Sequence, residues 1–270
     1  MCVKVLLPAC LVLTECLSLV AHAQEQLEGH PYRLSLAITK RHITIHGKST
    51  RITTFNDSYP GPPIRLIAGQ LYLINVTNAM NDENTTVHWH GLSQRLNPAA
   101  DGTHLSQWPI APGKWFEYEL RPQEEDVGTR FYHSHTDLQS VTANGPLMVD
   151  GSGANRLPWQ YDDQRIMLLA DWYHEAEWMI KQGLWAVPFV WPGSANAVTV
   201  NGKIFTGNST YQGMEEPYVI DVDFDKVYFL RWIGAQALMY YVRQPLRSRQ
   251  EKERETLPSR LLMASLQWLT

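Results

Sequence analysis

Hydrophobic and polar residues alternate along much of this chain, with the period of two that is typical of a half-buried β-strand. The alternation is clearest at residues 32–39 and 115–120, and residues 71–76, 87–90 and 129–135 predict further strands. Clusters of proline and glycine at residues 59–63 and 111–113 separate these segments. Many short strands between such turns predict an all-β sandwich or barrel.

A second unit follows residues 151–153, a Gly-Ser-Gly segment that we interpret as a linker. The pattern predicts an apolar strand at 166–170, an amphipathic helix at 174–184, a hairpin turn at Asn201-Gly202 and two strands at 218–224 and 227–233.

Strand alternation stops after Tyr241, and residues 243–270 contain six Arg/Lys and three Glu. The predicted organisation is therefore a first domain at 24–152, an incomplete second domain at 153–242 and a divergent charged tail at 243–270.

The first 23 residues have the features of a secretory signal. Lys4 supplies the positive charge, residues 5–20 form an apolar run, and residues 21–23 form a small-residue cleavage site before Gln24. No later segment approaches the roughly 20 apolar residues that a spanning helix needs. We therefore expect a secreted protein without a membrane anchor. Four Asn-x-Ser/Thr sequons fit a glycoprotein, at Asn56, Asn75, Asn84 and Asn208.

Composition narrows the chemistry. The chain is 44% hydrophobic, with 10 Trp and 12 Tyr among 270 residues, which is ample for a packed core. Its formal charge of −4 argues against a nucleic-acid partner. All three cysteines (Cys2, Cys10 and Cys16) lie in the expected signal, so residues 24–270 offer no thiolate to a metal.

Two His-x-His pairs give the clearest chemical signal, His88 with His90 and His133 with His135. Residues i and i+2 of a strand point to the same face, so each pair projects two imidazoles together. If the two strands are neighbours, four imidazoles converge. An all-nitrogen set suits copper, zinc, iron or nickel better than calcium or magnesium, and we predict a metal site here.

Several metal sites could use these residues. Three histidines with an open position make a catalytic zinc site, for which His88, His90 and His133 would suffice, with Asp101 or Asp137 as general base. A cupin site would need a glutamate and one later histidine, and the sequence shows no such arrangement. His42 and His46 lie in an alternating strand pattern and are interpreted as surface histidines.

The order of four motifs makes the chain recognisable. Residues 86–91 (TVHWHG), 100–102 (ADG), 107–113 (QWPIAPG) and 128–135 (GTRFYHSH) stand in the order found in multicopper oxidases. The chain resembles the laccase and ascorbate oxidase branch over roughly residues 32–241. Trp108 is more similar to the ascorbate-oxidase-like members.

The resemblance implies an all-β fold of cupredoxin-like Greek-key β-barrels, here one complete and one incomplete. It implies copper as cofactor, with a three-copper cluster that reduces O2 to water and a blue copper that takes electrons from the substrate. By motif position, His88 would bind the mononuclear copper, His90 and His133 would share one copper of the binuclear pair, and His135 would bind the other. Asp101 would act catalytically by orienting water and delivering protons; as an Asp-Gly turn residue it has an equally good structural explanation.

The sequence departs from the family pattern in one large way. We expect this chain to lack the third cupredoxin domain, which holds the blue-copper ligands and four further cluster histidines. Two hypotheses follow. The chain is a laccase-like oxidase of phenolic or ene-diol substrates that is impaired or inactive in this form. Alternatively, it is a non-catalytic copper-binding protein, or a subunit that a partner chain or a second copy completes.

Overall fold

The computed structural model describes residues 30–45, 47–152, 160–204, 218–223 and 225–239. The expected signal peptide, the charged tail, His46 and Asn208 lie outside the described residues. The strands, in chain order, are β1 Tyr32–Ile45, β2 Lys48–Phe55, β3 Ile64–Ile67, β4 Tyr72–Asn78, β5 Val87–His90, β6 Trp115–Leu120, β7 Gly128–Ser134, β8 Asn144–Asp150, β9 Asp163–Trp172, β10 Ala197–Val200, β11 Lys203–Ile204 and β12 Tyr228–Gly234. Among the described residues there is one α-helix, α1, which spans Glu177–Leu184. The expected all-β class is confirmed.

Two four-stranded sheets form the first half of the described structure. Their strand orders are β2-β1-β4-β6 and β3-β8-β7-β5, with parallel pairing of β1 to β4 and of β3 to β8. Apolar side chains from both sheets form one buried cluster that includes Ile38, Ile74 and Trp89, each fully buried. The alternation in the sequence is thus the inward and outward alternation of a two-sheet core.

A third sheet, β11-β10-β9-β12, contains residues 163–234. Its apolar residues divide into smaller clusters, of which one joins Trp172 to Ile45 and Ile52 of the first sheet. The predicted Asn201-Gly202 hairpin turn is confirmed, because both residues have positive φ angles of 51° and 79° between β10 and β11. The predicted helix is confirmed as α1, which begins three residues later than expected.

The predicted strand at 218–224 is wrong for the described residues 218–223, which pair with no neighbouring strand. The alternation itself has a physical basis, because Tyr218 and Ile220 pack against the cluster around Met167 and Val200. The Tyr218 backbone makes a single hydrogen bond to Ile204 at 3.3 Å. The side chains at 218–220 alternate between half-buried and exposed, but the backbone of this segment does not pair with a strand. The alternation alone therefore gave the wrong prediction.

Glu177, at the start of α1, joins the third sheet's unit to the first two sheets. Its carboxylate accepts hydrogen bonds from the backbone N and Oγ1 of Thr53, at 3.1 and 2.9 Å. It also accepts one from Thr142 Oγ1 at 2.8 Å and pairs with Lys40 Nζ at 3.1 Å. The Lys40 and Glu177 side chains are only 10% and 12% exposed, so this is a buried and well-satisfied ion pair.

Candidate metal centre

The two His-x-His motifs lie on neighbouring strands. β5 pairs with β7 in antiparallel register, and His88 stands directly opposite His133. Trp89 and Ser134, the middle residues of the two motifs, are fully buried in the core. The histidines therefore project from the opposite face of the sheet, as the spacing predicted.

All four imidazoles of the motifs meet on that face. The ring of His88 is central, with centroid distances of 5.5 Å to His90, 5.4 Å to His133 and 5.5 Å to His135. His133 stacks on His135 at 5.8 Å. His88 and His133 are half-buried, whereas His90 and His135 are exposed. The site is therefore a shallow cluster with one protected side and one open side.

Hydrogen bonds determine which ring nitrogens can bind a metal. His88 Nδ1 donates to the carbonyl oxygen of Asp101 at 2.7 Å. His133 Nδ1 donates to the carbonyl oxygen of Ser134 at 2.8 Å. Because a carbonyl oxygen can only accept, the proton of each ring is on Nδ1 and Nε2 keeps its lone pair. A metal-binding histidine usually donates its other ring N–H to a carbonyl or carboxylate oxygen, which fixes the orientation of the ring.

The spacing of the available nitrogens fits a shared metal ion. His133 Nε2 lies 3.4 Å from His90 Nδ1. Two nitrogens bound to one ion at about 2 Å in tetrahedral geometry would be about 3.3 Å apart. The ligand atoms of His88, His90 and His133 all lie within 4.8 Å of one another, and only nitrogen donors take part. The residues present therefore fit a transition metal such as copper or zinc.

The surroundings of His133 and His90 favour the neutral form of the ring that a metal requires. Burial, reinforced by the neighbouring histidines, lowers the pKa of His133 to about 3. His90 is exposed on its open side, but partial burial of its ring lowers its pKa, with additional repulsion from His88, His135 and Arg130. Both rings are neutral at physiological pH and offer a lone pair.

The Asp101-Gly102 turn packs directly against β5. A Cβ atom at Gly102 would lie 1.7 Å from the Val87 carbonyl oxygen, and Gly102 has a φ of +83°. Only glycine fits such an approach, which brings the Asp101 carbonyl to His88. The Asp101 carboxylate lies 3.4 Å from His88 Nδ1. Asp101 is thus both a turn residue and a neighbour of the histidines.

Asp137, the other candidate general base, forms an ion pair with Lys181 Nζ at 2.6 Å.

Two residues near the cluster were missed by sequence reasoning. Phe131 stacks on His90 and His133, with centroids 4.6 and 5.1 Å apart, and its alternation with His133 could have revealed it. The ring centroid of His104 lies 6.5 Å from that of His135, and His104 Nε2 lies 3.1 Å from Thr136 Oγ1. The position of His104 in the sequence did not predict that it lies beside the cluster.

Comparison with known proteins agrees with this geometry. Residues 37–153 match the family described as Multicopper oxidase. The chain is 43% identical over 208 residues to the multicopper oxidase aurL2 of Gibberella zeae. The aligned residues cover 75% of this chain and 34% of that protein. It is 34% identical over 199 residues to an L-ascorbate oxidase of Cucumis sativus, covering 68% of this chain and 34% of that protein.

The chain belongs to the multicopper oxidase family. Solved structures agree: a laccase from Botrytis aclada has a TM-score of 0.65 at 29% identity, covering 77% of this chain and 38% of that one. Fet3p, a multicopper oxidase that functions in iron import, has a TM-score of 0.65 at 27% identity, covering 77% and 37%. The cupredoxin fold expected from the sequence is confirmed, and copper is the metal of this multicopper oxidase family. The chain spans about a third of the length of these curated relatives.

Proposed function

We propose that this multicopper oxidase chain binds copper through His88, His90, His133 and His135. The observation that supports this most strongly is the register of β5 and β7, which places His88 opposite His133 and the ligand nitrogens of three histidines within 4.8 Å. Following the family arrangement, His88 is assigned to the mononuclear copper, His90 and His133 to a shared copper, and His135 to its neighbour. The three-histidine zinc alternative uses the same nitrogens, and the family membership favours copper.

The proposed reaction is the one-electron oxidation of phenolic or ene-diol substrates, coupled to the four-electron, four-proton reduction of O2 to water. Copper, when bound, supplies the redox chemistry. The residues of this chain supply the neutral ligands and, at Asp101, a carboxylate beside His88. We propose that this carboxylate, whose side chain is 29% exposed, orients a water next to His88 and passes protons to it.

The copper assignment is tested by metal analysis of the chain from Gln24 onward, after loading with copper and removal of excess. The His133→Ala/His135→Ala variant should lose most of the bound copper. The His30→Ala/His42→Ala variant is the matched control, since it also removes two histidines, both exposed and outside the cluster. Equal copper in the wild type and the His133→Ala/His135→Ala variant would overturn the assignment.

A polypeptide of these 270 residues should bind copper without turning over. Blue copper requires a cysteine thiolate, and residues 17–270 contain no cysteine. We expect copper-loaded protein to lack an intense blue band and to oxidise phenols or ascorbate no faster than an equal concentration of copper salt. O2 uptake measures this. Rapid four-electron turnover by this polypeptide alone would contradict it.

The second candidate function is that of a copper-binding subunit completed by a partner. The exposure of His90 and His135 favours it, because both rings have an open side from which further ligands could approach. Adding a polypeptide that carries a third cupredoxin domain should then restore O2 uptake. In the restored enzyme, Asp101→Asn should slow turnover at unchanged copper content, whereas Asp137→Asn should not. Failure of restoration would leave the non-catalytic copper-binding function.

We further propose that the protein is secreted, with residues 1–23 as its signal. No helix among the described residues is long and apolar enough to cross a bilayer. Asn56 and Asn84 are exposed and Asn75 is half-buried, so Asn56 and Asn84 are better glycan acceptors than Asn75. Expression in a fungal host should yield a secreted chain beginning at Gln24 whose mass falls on treatment with a glycosidase. Retention in the cell with residue 1 intact would contradict the proposal.

A further inference from the structure

Gln139 lies behind the histidine cluster, in the short 3-10 turn Gln139–Val141 between β7 and β8. Only 2% of it is exposed, and its own backbone N donates to Thr136 O at 3.1 Å. Among the described residues, its side-chain hydrogen bonds go to Thr85, Ser134, Glu83 and Asn84 and to none of the metal ligands assigned above. Its side-chain amide is nevertheless fully used, because the oxygen and the nitrogen each make two hydrogen bonds.

The oxygen of the Gln139 amide joins the two histidine motifs. It accepts a hydrogen bond from Ser134 Oγ at 2.7 Å and another from Thr85 Oγ1 at 2.9 Å. Ser134 is the middle residue of the second motif, and Thr85 lies three residues before His88. All three partners are buried, so these bonds form away from water, where a lost partner is costly.

The nitrogen of the Gln139 amide extends the connection. It donates to Glu83 Oε2 at 3.0 Å and to the carbonyl oxygen of Asn84 at 2.9 Å. Glu83 in turn pairs with Lys40 at 3.0 Å, which also pairs with Glu177. A continuous polar path therefore runs from α1 to the strands that present the histidines.

We infer that Gln139 is a positioning residue for the copper centre: it holds Thr85 of the segment before β5 and Ser134 of β7 at a fixed separation, and with them the two pairs of histidines. The inference rests on the proposed copper site. Loss of a partner that hydrogen-bonds directly to a metal ligand costs about 10–100-fold in metal affinity, and Gln139 acts through Thr85 and Ser134, so we expect the lower end of that range. Gln139 would act on both strands at once, because one oxygen bridges them.

Gln139→Leu tests this, since leucine fills the same space without either hydrogen-bonding end. Copper affinity of the folded variant should fall by about 10-fold, and the Cu(II) electron paramagnetic resonance signal should change its hyperfine splitting. A residue that only stabilises the fold would lower the unfolding temperature and leave both readouts unchanged. Wild-type affinity and spectrum in folded Gln139→Leu would overturn the inference.

A gentler pair of variants covers the case in which Gln139→Leu does not fold. Thr85→Val removes one buried hydroxyl that bonds to Gln139, without changing shape. Thr199→Val is its matched control, because Thr199 of β10 is also fully buried and its hydroxyl bonds to Tyr59 OH, in the loop between β2 and β3, at 2.9 Å. Copper affinity should fall in Thr85→Val and stay unchanged in Thr199→Val. Equal affinities in the two would overturn the inference.

Hydrogen exchange of the metal-free protein separates this inference from the proposed function. Peptides covering residues 84–90 and 131–136 should exchange faster in Thr85→Val than in Thr199→Val. If the wild type binds no copper, the proposed function fails and this exchange result alone decides whether Gln139 orders the two motifs. Unchanged exchange in both segments would reject the positioning role.

Discussion

The two strands that present the histidines are fixed in different ways. In β5, the middle residue Trp89 is buried in the apolar core, with its ring 5.5 Å from Tyr118 and 5.9 Å from Tyr132. In β7, the middle residue Ser134 is equally buried, but it is held by the hydroxyl and amide groups around Gln139. The same spacing of histidines is thus anchored once by packing and once by hydrogen bonds.

The difference predicts how each strand fails. Loss of packing leaves a cavity whose cost spreads through the core, whereas loss of a hydrogen bond leaves one unsatisfied group at a defined place. Stability should therefore depend mainly on β5, and the fine geometry of the centre on β7.

The largest effect should come from Trp89→Ala. Removing a fully buried indole from the main core should lower the free energy of unfolding by about 3–5 kcal/mol. Trp178→Ala is the control, because Trp178 is 56% exposed on α1 and its loss should stay within about 0.5 kcal/mol. Denaturant unfolding measures both. Similar losses in the two variants would contradict the role of Trp89 as the anchor of β5.

Gly102→Ala should rank next and should act on β5 alone. Its Cβ would collide with the Val87 carbonyl in addition to straining a positive φ, for about 1–3 kcal/mol. Gly113→Ala controls for the backbone strain, because Gly113 has a φ of +71° and no atom within 4 Å of the added Cβ. If Gly113→Ala destabilises the protein as much as Gly102→Ala, close packing of the turn on β5 is not what requires glycine.

Two tyrosine hydroxyls provide a finer comparison of the strands. Tyr118 OH accepts a hydrogen bond from the backbone N of Val87 in β5, and Tyr132 OH donates to the Pro62 carbonyl, each at 2.8 Å. Tyr118→Phe leaves a buried N–H without a partner and should cost about 1–3 kcal/mol. Tyr132→Phe should cost about 1 kcal/mol, since a carbonyl tolerates a lost bond better. Thermal unfolding of both would show the order, and the reverse order would break the comparison.

The smallest effect on stability is expected at Asp57, which is exposed. Because Asp57 lies in neither β5 nor β7, it also serves as a reference for both strands. Hydrogen bonds from Arg41 and Thr39 lower the pKa of its carboxyl to about 2. Its stabilising effect is therefore present above the unfolded pKa of about 4 and is lost as the pH falls through about 2. The melting temperature of Asp57→Asn should lie slightly below the wild type at pH 7 and meet it near pH 2. A difference that persists at pH 2 would mean that charge is not the cause.

The histidine cluster could be predicted from the sequence because strand geometry alone decides which side of a sheet residues i and i+2 occupy. His88 and His133 needed only the added fact that β5 and β7 are neighbours, which the family motifs supplied. Gln139 and the Asp101 carbonyl could not be predicted. Their roles come from contacts between distant segments and, for Asp101, from a backbone atom that carries no sequence signal.

The predicted strand at 218–224 failed for the opposite reason. Its alternation is real, and Tyr218 and Ile220 do face an apolar cluster, but a periodic pattern reports burial and not backbone pairing. The hairpin at Asn201-Gly202 succeeded because both residues favour the positive φ that the turn demands. Local conformational preference was thus a safer guide here than periodicity.

The position of Glu177 has a consequence for the order of events during synthesis. Thr53 and Thr142, which bind its carboxylate, and Lys40, which pairs with it, all leave the ribosome before it does. Domains fold from the N-terminus as the chain emerges, so the two sheets around the histidines can assemble while Lys40 still lacks one of its two carboxylates. The contacts of Glu177 with Lys40, Thr53 and Thr142 form only after α1 has been synthesised. Folding of the second unit would therefore complete the packing of the first.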